Sequence, residues 1–132
     1  MSSKTPKKTS TRWTTENRSS IKGKVLLVEC PYDDLTTTKI RPVTCLTEPV
    51  GPYLHVLVAF VTSRRPTDLE ETDIVMRLGS PGFNATGLRV DSVVRLDRMI
   101  SVPIAMILRE LGELPATSQI LIAVKLRQLF AL

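Results

Sequence analysis

Histidine is nearly missing from this 132-residue chain; the only one is His55. A single imidazole excludes a two-histidine acid–base pair within one chain and a His-rich zinc site. Cysteine is almost as scarce. Cys30 and Cys45 are the only two, with no C-x-x-C spacing. Both fall in or beside predicted strands, so buried free thiols are expected rather than a disulfide. Long apolar runs are also lacking. The longest, residues 56–61, falls far short of the ~20 residues that cross a bilayer. The basic start of the chain has no apolar core behind it, so neither a membrane span nor a signal peptide is expected, and a cytoplasmic location is. The phosphate-cradling G-x-x-x-x-G-K-[ST] and G-x-G-x-x-G motifs are absent, as is the G-x-S-x-G elbow, so nucleotide cofactors and that class of hydrolase lack support.

What is present is an ordinary globular balance, with 42% apolar and 23% charged residues, in a length that fits one core. The net charge of +5 is unevenly placed. Residues 1–24 carry seven Lys/Arg against Glu16, a local +6, whereas the remainder carries 11 against 12 Asp/Glu, or −1. The basic excess is therefore a property of the start of the chain and says little about the ligand of the folded part. Residues 1–21 read as a disordered basic tail holding one large aromatic, Trp13, and residues 22–132 as a single domain.

The domain is organised around residues 38–63. Two β-branched runs, 38–46 and 55–63, flank a Glu48-Pro49-Val50-Gly51-Pro52 turn and predict neighbouring strands. Residues 56–61 are apolar on both alternating faces, which predicts a central strand covered on both sides. A strand is also predicted at 24–30, a half-exposed one at 73–78, and another at 92–97 continuing through 98–102 to a stop at Pro103. Residues 104–111 fit either a helical turn after Pro103 or a short strand ending at Gly112. A last helix, capped by Thr117 or Ser118, is expected to run to Leu132 and bury Ile122, Leu126, Leu129 and Phe130. The result is a mainly-β (α+β) fold, a small strand-rich barrel finished by a helix.

Chemistry has few candidates. Asp33-Asp34 and the group Asp68, Glu70, Glu71 and Asp73 lie in or beside loops and read as solvated acids rather than a converging metal site; no metal is expected. What remains is a set of guanidiniums and hydroxyls at strand ends. Arg41 opens one strand, with Lys39 two positions earlier. Thr62-Ser63 closes the next and is followed by Arg64-Arg65. Arg95 and Asp97 lie two apart on one strand, hence on one face. Together they suit cleavage of RNA by its own 2′-hydroxyl. That reaction needs no metal, only a proton acceptor, a proton donor, and cations or hydroxyls for the charge on phosphorus.

At these residues the sequence resembles the MazF/PemK/Kid toxins of bacterial toxin–antitoxin modules. The likeness rests on Lys22-Gly23-Lys24-Val25, Ile40-Arg41-Pro42-Val43, Phe60-Val61-Thr62-Ser63, Gly87-Leu88, Ser92-Val93-Val94-Arg95-Leu96-Asp97 and Leu111-Gly112-Glu113-Leu114, in unbroken order over 22–132. The resemblance implies an SH3-like barrel with a C-terminal helix, a homodimer, and metal-independent cleavage of single-stranded RNA to a 2′,3′-cyclic phosphate and a 5′-hydroxyl. It also implies inhibition by a cognate antitoxin, with any DNA contact made only through that antitoxin. Arg41 and Thr62 match the catalytic pair, with Arg95 and Asp97 assisting. Lys39, Pro42, Ser63, Arg64 and Arg65 are expected to bind RNA. The chain departs from the family in its basic extension and in the loop Leu35-Thr36-Thr37-Thr38-Lys39-Ile40, where Gly and Gln or His are usual. The related CcdB-type gyrase poisons offer a non-enzymatic alternative, but they depend on a terminal Trp-Gly-Ile, whereas this chain ends Leu-Phe-Ala-Leu. A non-catalytic RNA- or protein-binding barrel is the third reading.

Overall fold

The computed structural model describes residues 20–30, 39–63 and 69–132. The tail with Trp13, the loop holding Asp33 and Asp34, and Arg64, Arg65 and Asp68 lie outside the described residues. The described elements are β1 (Lys24–Cys30), β2 (Lys39–Cys45), β3 (His55–Thr62), β4 (Asp73–Met76), β5 (Ser92–Pro103), β6 (Ile107–Glu113) and one helix, α1 (Ala116–Phe130). They form one antiparallel sheet in the order β4-β5-β3-β2-β1-β6.

Strand β3 lies inside the sheet between β5 and β2, as its two-sided apolar pattern demands. Val56 and Val58 enter one core with Leu26, Val43, Val102 and Ile107. Ala59 and Val61 enter the other, with Val25, Val94, Leu96, Phe83 and Ile122. Period-2 alternation sends successive side chains to opposite faces, so one strand serves both cores. Cys45 is a free, buried thiol. Burial pushes its pKa up from the ordinary 9.0 to about 12; a backbone hydrogen bond at Thr47 pulls the other way, and the Glu48 carboxylate adds to the rise.

The edge strands β4 and β6 do not pair with each other in the sheet order. They are bridged instead by a 3-10 turn, Asn84–Thr86, which follows β4 and packs against β6. Two glycines make that approach possible. A Cβ on Gly87, whose φ is 76°, would strike the Leu111 backbone, and one on Gly112 would strike the backbone of Ala85 and Thr86. Only residues without side chains let two backbones come this close. This contact joins the two ends of a sheet whose edge strands do not pair, in keeping with a barrel-like fold.

Residues 104–111 contain both structures that the sequence allowed, a 3-10 turn at Ile104–Met106 and then β6. Strand β5 runs unbroken for 12 residues, because a bulge opposite Ala59/Phe60 absorbs the extra residues near Asp97. The helix differs from expectation. It starts at Ala116 behind Pro115 with no side-chain cap, and only Ile122 is buried, with Leu126 packed partly against the core. Leu129 and Phe130 are 38% and 56% exposed. Among the described residues the core therefore reaches only the middle turns of α1 and does not include Leu129 or Phe130 of its last turn. No helix among the described residues is long and apolar enough to cross a membrane.

Candidate active site

Strand β2 opens the site. It pairs with β1 over six residues, from Cys30↔Lys39 to Val25↔Thr44, but its pairing with β3 runs only over Val43↔Phe60, Thr44↔Ala59 and Cys45↔Val58. Pro42 stands where that ladder stops, and proline has no N–H to give to a ladder. Continuing the register two residues brings Arg41 opposite Thr62 on the face shared with Val43 and Phe60. On the other side β3 stays paired with β5 as far as Thr62↔Val93.

An open groove of about 690 Å³ lies at this end of the sheet. One wall is the start of β2, Lys39 to Pro42, and the floor is Val61, Thr62 and Ser63. The opposite wall is the segment leading into β5, with Leu88, Arg89, Val90 and Ser92. Arg41, Pro42 and Thr62 are half-buried, while Lys39, Ser63 and Arg89 are exposed. Both Arg41 and Thr62 have interaction partners in the fold. The groove thus presents cations on two walls and hydroxyls on its floor, a surface that fits a phosphodiester chain.

Of the nine residues singled out in the sequence, the structure brings Lys39, Arg41, Pro42, Thr62 and Ser63 to this groove. Arg64 and Arg65 lie outside the described residues. Arg95 and Asp97 are not among the groove's lining residues. They form a separate cluster on β5, where Arg95 pairs across β3 with Phe60, two residues from the Thr62↔Val93 pair and on the same face. The Arg95 Nε–H donates to Asp73 Oδ1 at 2.8 Å, while Asp97 Oδ1 stands 3.8 Å from the same nitrogen.

Asp73 corrects the reading of the acidic stretch that contains it. It is a buried first residue of β4, paired in register with Arg95, and not a solvated loop acid. The sequence offered one signal, since Asp73 opens an alternating run and shares a face with Val75. Arg89 was also missed. Its signal was position, a cation between Gly87 and the Ser92 that starts β5. Among the described residues no three His, Cys, Asp or Glu side chains come together as a metal-ligand set.

In fold the chain is similar to the Mycobacterium tuberculosis toxin MazF-mt6, at 25% identity and a TM-score of 0.63, covering 83% of this chain and 97% of that one. It also resembles an endoribonuclease in complex with its cognate antitoxin from a mycobacterial species, at 16% identity and TM-score 0.63, over 86% and 97% of the two chains. A further mycobacterial endoribonuclease matches at 17% identity and TM-score 0.59, over 87% and 94%. The last two likenesses concern fold alone. No curated protein matches significantly by sequence. The model of one family matches residues 21–130, which takes in every element of the sheet, the groove and α1. This chain belongs to the PemK-like, MazF-like toxins of type II toxin–antitoxin systems.

Proposed function

We propose that this protein is a metal-independent endoribonuclease that cuts single-stranded RNA and is held in check by a cognate antitoxin. The observation that carries this reading is the meeting of Arg41 and Thr62 in one open groove, with Lys39 and Arg89 on its walls. Family membership supports it, as does the likeness in fold to two mycobacterial endoribonucleases.

The 2′-oxygen of the RNA attacks phosphorus, a P–O2′ bond forms, and the P–O5′ bond breaks. The 2′ proton passes to a base and a second proton reaches the departing 5′-oxygen, leaving a 2′,3′-cyclic phosphate and a 5′-hydroxyl. Arg41 grips two phosphate oxygens and opposes the negative charge that accumulates on them. The Thr62 hydroxyl donates to a non-bridging oxygen. Arg95 and Asp97 assist from the neighbouring cluster, and Lys39, Pro42, Ser63, Arg64 and Arg65 hold the flanking nucleotides. The site takes no cofactor.

One domain offers a short groove for several nucleotides, so two copies are expected to join into one longer groove with a site in each half. The antitoxin is expected to cover that groove and to carry any DNA contact. The basic extension is expected to end before Ile21, which the sequence placed in the tail but which is buried in one of the two cores, and the protein is expected to work in the cytoplasm. The test is digestion of single-stranded RNA in EDTA, with the product ends identified by mass. A 2′,3′-cyclic phosphate formed without metal is the result expected. Cleavage that vanishes in EDTA and returns with Mg²⁺ would overturn it.

A further inference from the structure

Among the described residues two carboxylates, Asp73 and Asp97, compete for Arg95, and of these Asp73 alone makes a hydrogen bond. It sits at 2.8 Å from Nε, whereas Asp97 at 3.8 Å is beyond hydrogen-bond range. Asp73 is a fixed anion. Its side chain is 1% exposed, its Oδ2 accepts the Glu70 N–H at 2.8 Å, and its own N–H donates to the Glu70 carbonyl at 3.0 Å. Both carboxylate oxygens are therefore occupied, and two bonds to Glu70 set their position. Asp97 is the more open of the two, with a side chain 37% exposed.

A guanidinium carries five N–H donors in a rigid plane. Asp73 takes the one on Nε, which fixes that plane and leaves the Nη donors for another acceptor. Arg95 occupies the position diagonal to Thr62 on the shared face, a spacing of roughly 7–8 Å that long side chains span. We propose that Asp73 is a positioning residue: it holds Arg95 by Nε with the Nη fork available to an RNA phosphate, and by doing so keeps Arg95 from closing on Asp97. This rests on the nuclease reading above. Asp73 touches no substrate and acts through Arg95. Stability alone gives no account of the pair, because a buried ion pair adds little over a well-packed apolar pair of the same size.

The 132-residue protein, its Asp73→Asn, Arg95→Ala and Arg95→Lys variants, and the Asp73→Asn/Arg95→Ala double variant are to be compared. The readouts are RNA cleavage, thermal melting, and the Arg95 Nε–H signal in protein labelled with ¹⁵N-arginine. The wild type is expected to show a slowly exchanging Nε–H that Asp73→Asn shifts or broadens. Asp73→Asn is expected to lower kcat roughly tenfold with little change in KM, and to cost less than about twofold when Arg95 is already Ala, since the two act as one unit. Arg95→Lys keeps the charge on Asp73 but has no fork to spare, so it is expected to melt near wild type and yet cut as poorly as Arg95→Ala. This arm decides the matter if Asp73→Asn does not fold. An Arg95→Lys variant that regains both stability and cleavage overturns the proposal, as does an Asp73→Asn penalty that is equal in both backgrounds. If the wild type cuts no RNA, the nuclease reading fails separately. The Nε–H signal and the binding of a DNA oligonucleotide, which has no 2′-hydroxyl, then decide whether Asp73 aims Arg95 at phosphate: binding weakened by Asp73→Asn only when Arg95 is present supports it, and unchanged binding refutes it.

Discussion

The Arg41 groove and the Arg95 cluster stand on one face of one sheet and use the same cation in opposite ways. In the groove, β2 leaves β3 at Pro42, and Arg41 and Thr62 stand at the edge of an open space that further cations line. In the cluster, β4 and β5 are fully paired and Arg95 is locked by a carboxylate that solvent hardly reaches. A half-buried cation beside an open groove is expected to be lost at less cost to the fold than one bonded to a carboxylate that is 1% exposed. The groove should therefore hold chemistry separable from folding, and the cluster chemistry entangled with it.

The largest effect on folding is expected from Arg95→Ala. Removing one partner of a buried pair strands the other, which typically costs about 3 kcal/mol, and a domain of this size then melts roughly 10 °C lower. Cleavage should fall with it. An Arg95→Ala variant that melts like wild type would break the contrast, because Asp73 would then tolerate solitude. Thr62→Ala comes next. Losing a neutral donor to the developing charge should slow cleavage about tenfold, with melting unchanged, and a large drop in melting would place Thr62 with the fold rather than the groove.

Smaller effects should come from features outside both regions. Deleting residues 1–19 should weaken RNA binding about threefold at low salt and less at high salt, since a basic tail contributes through counterion release. The cut sites should not change; altered sites would make the tail part of the groove. The least effect is expected at Cys45. Its raised pKa of about 12 leaves almost no thiolate at pH 8. In a Cys30→Ser background, iodoacetamide should label the folded protein negligibly and leave cleavage untouched. The sign is set by the raised value: the stability that the buried thiol confers is intact below 9.0 and is lost as pH rises toward about 12.

Much of this was legible in the chain because the signals were local. The two-sided apolar pattern of residues 56–61 placed β3 inside the sheet, and a proline after Arg41 and hydroxyls after Val61 marked the strand ends that frame the groove. The rest depended on which strand lies beside which. Asp73 looks like any other acid of its charged stretch until β4 is laid against β5 in one particular register, which puts it opposite Arg95. Arg89 joins the groove only because β5 flanks β3. The helix misled for a related reason. Leu129 and Phe130 have the spacing of a buried face, but the core that the described residues build beneath α1 does not include them.

The most direct test of the account is the cleavage rate and thermal melting of Arg41→Ala and Arg41→Lys beside wild type. A guanidinium at a strand start offers two parallel donors to phosphate, which an ammonium cannot reproduce. Both variants should melt like wild type, and both should cut single-stranded RNA roughly 10²–10³-fold more slowly, the usual cost of one donor to a developing oxyanion. A folded Arg41→Ala protein that cuts within about threefold of wild type would remove Arg41 from the mechanism and contradict the assignment of the groove.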